Sequence, residues 1–323
     1  RSQQVDVVHV TERPRDAMFG LLLARLAGCA CLIHAHTSYY PHEPTFTLAA
    51  SDWVLRQADA VVGVSDFTAG TFRRDAGIAP ERVFAVHNAV DEGVLQAKLP
   101  DDAGVIVRRR LGISPDALVV GTVGRLMRGK DQASVVEAFG QVRAMRPDAR
   151  LVIAGTAADT APDGRGDYGD YLRRRVDDLG LHEAVTFTGL LPHREMPRLY
   201  AAFDLFVHPC VEEPFGLVVV EAMSRMLPVI AVSAGGVPEI VRPDVDGLLV
   251  PPRQPAALAE AITTLVNDPA RAARLARSGR DRVLAAFTAR AQAQTMLRVY
   301  LNLVPTSVER ASGVPGRTLL AKD

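Results

Sequence analysis

The sequence predicts an α/β protein made of two doubly wound domains with parallel sheets. Three observations lead there. Short β-branched runs alternate with amphipathic helical runs almost from end to end. The strand-like runs are nearly continuously apolar, as strands buried on both faces of a parallel sheet must be. The alternation also pauses once, over residues 88–117, where turn residues and a short basic helix replace any core strand.

In chain order, the first series of strands is "VDVVHV" (5–10), "ACLIHAH" (30–36), "DAVVGVS" (59–65) and "RVFAVH" (82–87), with helical stretches near 16–27, 46–58 and 66–76. The second series runs through "LVVGTVG" (118–124), "RLVIAG" (150–155), "AVTFTG" (184–189), "DLFVHP" (204–209), "PVIAVSA" (228–234) and "GLLVPP" (247–252). These runs place a first domain over residues 1–95, a linker over 96–117 and a second domain over 118–287. The Gly- and Asp-rich stretch 155–167 reads as an exposed loop and 304–323 as a flexible tail. Two such domains would face each other across a cleft. Ligands of doubly wound folds bind beyond the carboxyl ends of the strands, and Gly124, Gly189, Glu213 and Gly235 each follow a strand in that way.

Composition narrows the function. Lys plus Arg equals Asp plus Glu at 37 each, so no net field recruits nucleic acid. The basic runs at 108–110 and 173–175 read as solvated helix faces. No apolar run is long enough to span a membrane and the opening "RSQQVDVV" carries no signal-peptide pattern, which makes the cytoplasm the expected location. Cys29, Cys31 and Cys210 form no C-x-x-C pair and read as free thiols of a reducing compartment.

Two stretches carry chemistry. Residues 212–222, "EEPFGLVVVEA", set Glu213 and Glu221 eight positions apart around Pro214, Phe215 and Gly216. One reading is a loop entering a half-buried helix with both acids solvated. The other is an anion site, in which N–H groups at Phe215, Gly216 and Leu217 meet a diphosphate at the positive end of the helix while the acids grip the two ends of an elongated ligand. The stretch "VGRLMRGKD" (123–131) places Arg125 and Lys130 at the first strand-to-helix turn of the second domain, either as solvated cations or as a pair meeting one diphosphate.

The segments "GRLMRGKD", "FTGLLPHREMPRLYAAFDLFVHP", "EEPFGLVVVEAM", "LPVIAVSAGGVPEIV" and "DGLLVPPRQPAALAEAI" occur here in an order and spacing that resembles the retaining, nucleotide-sugar-dependent glycosyltransferases of family 4, which have the GT-B fold. The first half agrees through "VVHVTE", "HAHTS", "ADAVVGVSDFTAGTF" and "ERVFAVHNAVD". The resemblance implies transfer of a sugar from a nucleoside diphosphate, UDP or GDP, to an acceptor hydroxyl with retention of configuration. It implies Glu221 on the ribose, Glu213 near the donor sugar, and the backbone of Phe215, Gly216 and Leu217 along the sugar and phosphates. Arg125 and Lys130 would hold the diphosphate, the backbone of Leu191 the base, and His36 the sugar from the first domain, with His34 structural. No metal and no further cofactor is implied. The acceptor would be a glycan, a lipid or a small molecule bound chiefly by the first domain, compatible with peripheral membrane contact, and the helix at 288–303 would cross back onto that domain. A nucleotide-binding subunit without turnover and a nucleotide-sugar epimerase are the alternatives on the same fold.

The chain departs from the family pattern at Met226 and Ala89, where Gly is usual, a local cost on the order of 1 kcal/mol wherever the backbone is left-handed. It also starts at a later strand of that pattern, which reads as a chain lacking the front of its first domain.

Overall fold

The computed structural model describes residues 5–39 and 46–304. It separates into two compact units, one holding the residues up to Asn88 together with those from Arg290 onward, the other Ala89–Ala289. The expected tail over 304–323 lies, past Val304, outside the described residues.

The first unit begins with β1 (Val7–Thr11), α1 (Pro14–Ala27), β2 (Ala30–Ala35), α2 (Phe46–Gln57), β3 (Ala60–Gly63), α3 (Asp66–Arg74) and β4 (Val83–Ala85). Its strands are all parallel and stand in sequential order, β1-β2-β3-β4. Right-handed crossovers that always step the same way leave their helices on one face. There Leu21 and Ala24 of α1, Val54 of α2 and Phe72 of α3 pack on Ile33 and Val61. The local signals are ordinary ones: Pro14 opens α1, and the Ser65 hydroxyl caps α3 by accepting from the Thr68 N–H at 2.9 Å. On its other side α1 leaves Phe19, Leu22, Leu23 and Leu26 exposed.

The second unit runs through α4 (Glu92–Leu95), α5 (Ala103–Arg110), β5 (Val119–Val123), α6 (Gln132–Met145), β6 (Arg150–Ala154), α7 (Tyr168–Asp178), β7 (Val185–Gly189), α8 (Met196–Ala201), β8 (Leu205–His208), α9 (Leu217–Ser224), β9 (Val229–Val232), α10 (Val237–Ile240), β10 (Leu248–Val250), α11 (Pro255–Asn267) and α12 (Pro269–Ala286). Its parallel sheet has the order β10-β9-β8-β5-β6-β7. The direction of winding therefore reverses between β5 and β8, which separates the loops that follow these two strands. The last helix, α13 (Ala289–Leu303), belongs to the first unit. Its Met296 and Val299 join Leu32, Ala60 and Val62 on the face of the first sheet opposite α1–α3.

The stretch read as a linker is structured. Helix α5 packs so closely on α8 that a Cβ at Gly104 would stand 2.1 Å from the Ala201 carbonyl oxygen. Arg108, read as part of a solvated basic face, is buried. Its guanidinium donates to the carbonyls of Ala202 at 2.9 Å and Ala117 at 3.1 Å and pairs with Asp204 at 2.9 Å. Residues 89–117 accordingly cluster with the second unit, and the division falls at Asn88. The run 173–175 is a charged surface, with Arg173 and Arg174 paired to Asp170 and Asp163.

Of the two departures from the family pattern, only Met226 meets a left-handed backbone, at φ 59°. It follows α9, where the Leu227 N–H reaches the Ala222 carbonyl and the Met226 N–H that of Met223, the pair of bonds that closes a Schellman turn. Ala89 has no positive φ, so the missing glycine costs nothing there.

Candidate active site

The reversal between β5 and β8 fixes where two loops meet, residues 124–131 after β5 and 209–216 after β8. They are joined through one carbonyl. Gly129 O accepts the Val211 N–H at 3.0 Å, the Glu212 N–H at 3.3 Å and the Cys210 thiol at 3.2 Å. Two glycines allow these loops their close approach. At Gly155, after β6, φ is 141° and a Cβ would stand 1.9 Å from the Gly124 carbonyl oxygen. At Gly235, after β9, φ is 60° and a Cβ would stand 2.0 Å from the Glu213 carbonyl oxygen, which instead accepts the Gly236 N–H at 2.8 Å. No other residue fits either place without moving the loop that carries Glu213 or Arg125.

Glu213 is buried at 7% exposure and is not the solvated acid of the simpler reading. Its Oε2 receives the Lys130 ammonium at 2.6 Å and lies 2.9 Å from His208 Nε2, leaving Oε1 outside both contacts. Burial opposes ionisation of this carboxyl, but the hydrogen bond and charge of His208, followed by the charge of Lys130, outweigh it and hold the pKa at about 2. Burial likewise opposes the charge on Lys130, and the Glu213 carboxylate overrides it, so the lysine pKa is raised. The result is an ionised carboxylate and an ammonium in a site largely closed to water, where interactions between charges are stronger than in bulk solvent.

Glu221 is also buried and projects from α9 to the Tyr200 hydroxyl on α8, which donates to its Oε2 at 2.7 Å. Burial raises the Glu221 pKa and the tyrosine hydrogen bond works against that rise. Helix α9 starts at Leu217 behind Gly216 with no side chain capping it. Phe215 is buried with its ring edge-on to Phe287, at a centroid distance of 5.8 Å, while Leu217 is exposed. The Arg125 side chain is exposed and its carbonyl accepts from Gln132 Nε2 at 2.9 Å. Leu191, half-buried, follows Gly189 at the end of β7. Thus Glu213 and Lys130 meet directly, and Arg125, its side chain exposed, lies five positions before Lys130 in the same loop.

The first unit, taken alone, presents a different cluster. His36 is exposed just past β2, its ring 4.5 Å from that of His34, which lies 5.4 Å from the ring of His9. His9 Nδ1 is 2.6 Å from the Tyr300 hydroxyl on α13. His34 is buried, and its Nε2 has no hydrogen-bond partner among the described residues. Burial, and then the neighbouring His36 and His9, push its pKa down to about 4, so the ring is neutral near neutral pH.

Residues 106–282, more than half of the chain, match the family model described as Glycosyl transferases group 1. The chain belongs to the group 1 glycosyl transferases. Residues 1–93 of this glycosyltransferase match a second model, Glycosyltransferase Family 4. Over 314 residues it is 33% identical to D-inositol 3-phosphate glycosyltransferase 1 of Catenulispora acidiphila, a match covering 93% of this chain and 72% of that one. It is 32% identical over 264 residues to the alpha-maltose-1-phosphate synthase of Mycolicibacterium smegmatis, covering 77% and 66%. Among solved structures it resembles Anabaena HepE in complex with UDP-glucose, with a TM-score of 0.79 at 27% identity over 91% of this chain and 78% of that one. The two parallel α/β sheets of the glycosyltransferase are those of the GT-B fold.

Sequence reasoning missed three residues of this glycosyltransferase. His208 could have been found, because it closes a strand five residues before Glu213. Tyr200 and His9 carried no such signal, since only the packing of α8 on α9 and of β1 beside β2 brings them to Glu221 and His34. No helix among the described residues is long and apolar enough to cross a membrane.

Proposed function

We propose that this chain transfers a sugar from a nucleoside diphosphate sugar to an acceptor hydroxyl with retention of anomeric configuration, and that the second unit binds the donor. Glu221 accepts from the ribose hydroxyls, Glu213 through Oε1 from hydroxyls of the sugar, and the backbone near Leu191 meets the base. Lys130, Arg125 and the N-terminus of α9, with the backbone of Phe215, Gly216 and Leu217, bind the diphosphate. When the bond to the anomeric carbon breaks, negative charge collects on the departing diphosphate, and these cations and N–H groups hold it more strongly than they held the donor. They make a divalent ion unnecessary for that step, so chelators should leave transfer unchanged.

The observation that carries this reading is the buried contact of Lys130 and His208 with Glu213 beside the uncapped start of α9, at the point where strand order reverses. UDP as the nucleotide is supported by its presence in the HepE complexes. Glycan, lipid and small polyol acceptors all remain open to assay. Calorimetry with UDP and GDP, followed by product analysis with the corresponding sugar nucleotides and NMR of the new anomeric centre, tests the proposal. Nucleotide binding without transfer or donor hydrolysis would replace it with a binding role, and an inverted product would remove retention. His36→Ala should lose transfer and keep nucleotide affinity.

A further inference from the structure

None of the proposed donor contacts falls to Cys210, yet its thiol is one corner of a compact group of side chains in the second unit. His208 Nε2, Cys210 Sγ and a carboxylate oxygen of Glu213 all lie within 4.8 Å of one another, and all three residues are buried. In tetrahedral zinc sites, bonds of about 2.0 Å to nitrogen or oxygen and 2.3 Å to sulfur put neighbouring ligands about 3.3–3.8 Å apart. Side-chain shifts on the order of 1 Å therefore suffice to close the group around a metal. His208 and Cys210 stand two positions apart at the end of β8, where residues of that spacing point to the same side, and the chain bends at Val211 and Glu212 before Glu213.

We propose that His208, Cys210 and Glu213 form a zinc site that switches the donor pocket off. The set of one imidazole, one thiolate and one carboxylate suits Zn²⁺, Co²⁺ or Cd²⁺ and disfavours Mg²⁺ or Ca²⁺, which prefer oxygen alone. On binding, a Zn–S bond forms and the Cys210 S–H bond breaks, its proton leaving to buffer. His208 binds through Nε2 in place of its contact with Glu213, the proton carried by that nitrogen passing to Nδ1 or leaving to buffer, and no electrons change hands. Thiolate and carboxylate neutralise the dication, which releases Lys130. The Lys130 side chain retains 19% exposure, so its ammonium can turn to water. A water takes the fourth position. The inhibitory consequence rests on the proposed donor site, because zinc takes Glu213 and Lys130 away from it together; metal binding itself does not depend on that reading.

The test uses the full chain, reduced and freed of metal, with Co²⁺ as the probe. Wild type should develop a thiolate-to-cobalt charge-transfer band in the near ultraviolet that stoichiometric Zn²⁺ abolishes. Cys210→Ser should lack the band and Cys29→Ser should keep it. X-ray absorption of the zinc-loaded wild type should show a single sulfur ligand, which decides the matter even if the serine variant does not fold. No band, a band that survives in Cys210→Ser, or a zinc site without sulfur overturns the proposal. In sugar-transfer assays zinc should remove most of the wild-type activity, spare Cys210→Ser, and find no counterpart in magnesium. Equal inhibition of both proteins would overturn the switch. If no sugar transfer is found at all, the functional reading fails while the cobalt band still reports on the metal site.

Discussion

The two sheets differ in one topological respect, and their chemistry differs with it. In the first unit the strands follow one another without reversal, so α1–α3 share a face and α13 covers the other. The second sheet reverses between β5 and β8, and the two loops that follow these strands, joined at the Gly129 carbonyl, hold the buried charges. Burial also has opposite outcomes in the two places. At His34 it has only like neighbours beside it, and the ring stays neutral. At Glu213 it is overcome by His208 and Lys130, and the carboxyl stays ionised. Desolvation alone does not decide whether a buried group is charged; the sign of what the backbone places next to it does.

The strongest challenge to this contrast is Lys130→Ala, which takes away the cation from the second unit. Turnover should fall by about 2.7–4 kcal/mol in barrier, as when an oxyanion donor is removed, with nucleoside affinity less affected. Near wild-type transfer would show that the ion pair is not catalytic. In the first unit the corresponding test is pH. An imidazole whose folded pKa of about 4 lies below its ordinary value of 6.5 binds its proton better in the unfolded chain. Stability is then complete above pH 6.5 and declines as pH falls toward 4, by up to roughly 3.5 kcal/mol at about 1.4 kcal/mol per unit. His34→Phe should flatten that part of the melting profile between the same limits, and an unchanged slope would move the effect to His9 or His36. Back in the second unit, Glu221→Gln should weaken nucleotide binding by about 1.5–3 kcal/mol, the range for a hydrogen bond to a charged group. As a contact made equally before and during reaction, it should raise KM and leave kcat nearly constant, and unchanged affinity in calorimetry would refute the ribose role. The smallest effect is expected at Met226→Gly, which should raise stability by about 1 kcal/mol without altering transfer, because it relieves a left-handed backbone beyond the end of α9. A loss of activity there would mean that the turn is coupled to Glu221.

What could be read in the sequence follows the range of the forces concerned. All ten strands among the described residues were legible as apolar runs, the inner ones because they bury their residues between covering layers, and their ends moved by only a few positions; the edge strand β1 was legible although none of its residues is fully buried. Glu213, Glu221, Lys130 and Gly235 could be singled out by their spacing along the chain, and the structure buries both acids, sets Lys130 on Glu213 and lays the Gly235 backbone against the Glu213 carbonyl. Helix α5 was misjudged because its docking relies on Gly104 and on a buried arginine, Arg108, and no apolar stripe announces either. The engagement of Lys130 by Glu213 spans 83 positions and that of Glu221 by Tyr200 spans 21, so both exist only once the second sheet has formed.

The placement of α13 also bears on how the chain is made. Residues up to Asn88 leave the ribosome first, but the helix that covers Leu32, Ala60 and Val62 follows Ala289. At synthesis rates of about 5–20 residues per second, the intervening stretch takes roughly 10–40 s to emerge. Throughout that interval one face of the first sheet is without its covering helix, while the second unit, contiguous in sequence, can finish folding. A force-sensing arrest sequence placed after Ala289 should register folding of the second unit before one placed beyond Leu303 registers closure of the first. The unit whose synthesis begins before the other's is thus completed after it, and its apolar sheet face is the natural point of contact for chaperones during translation.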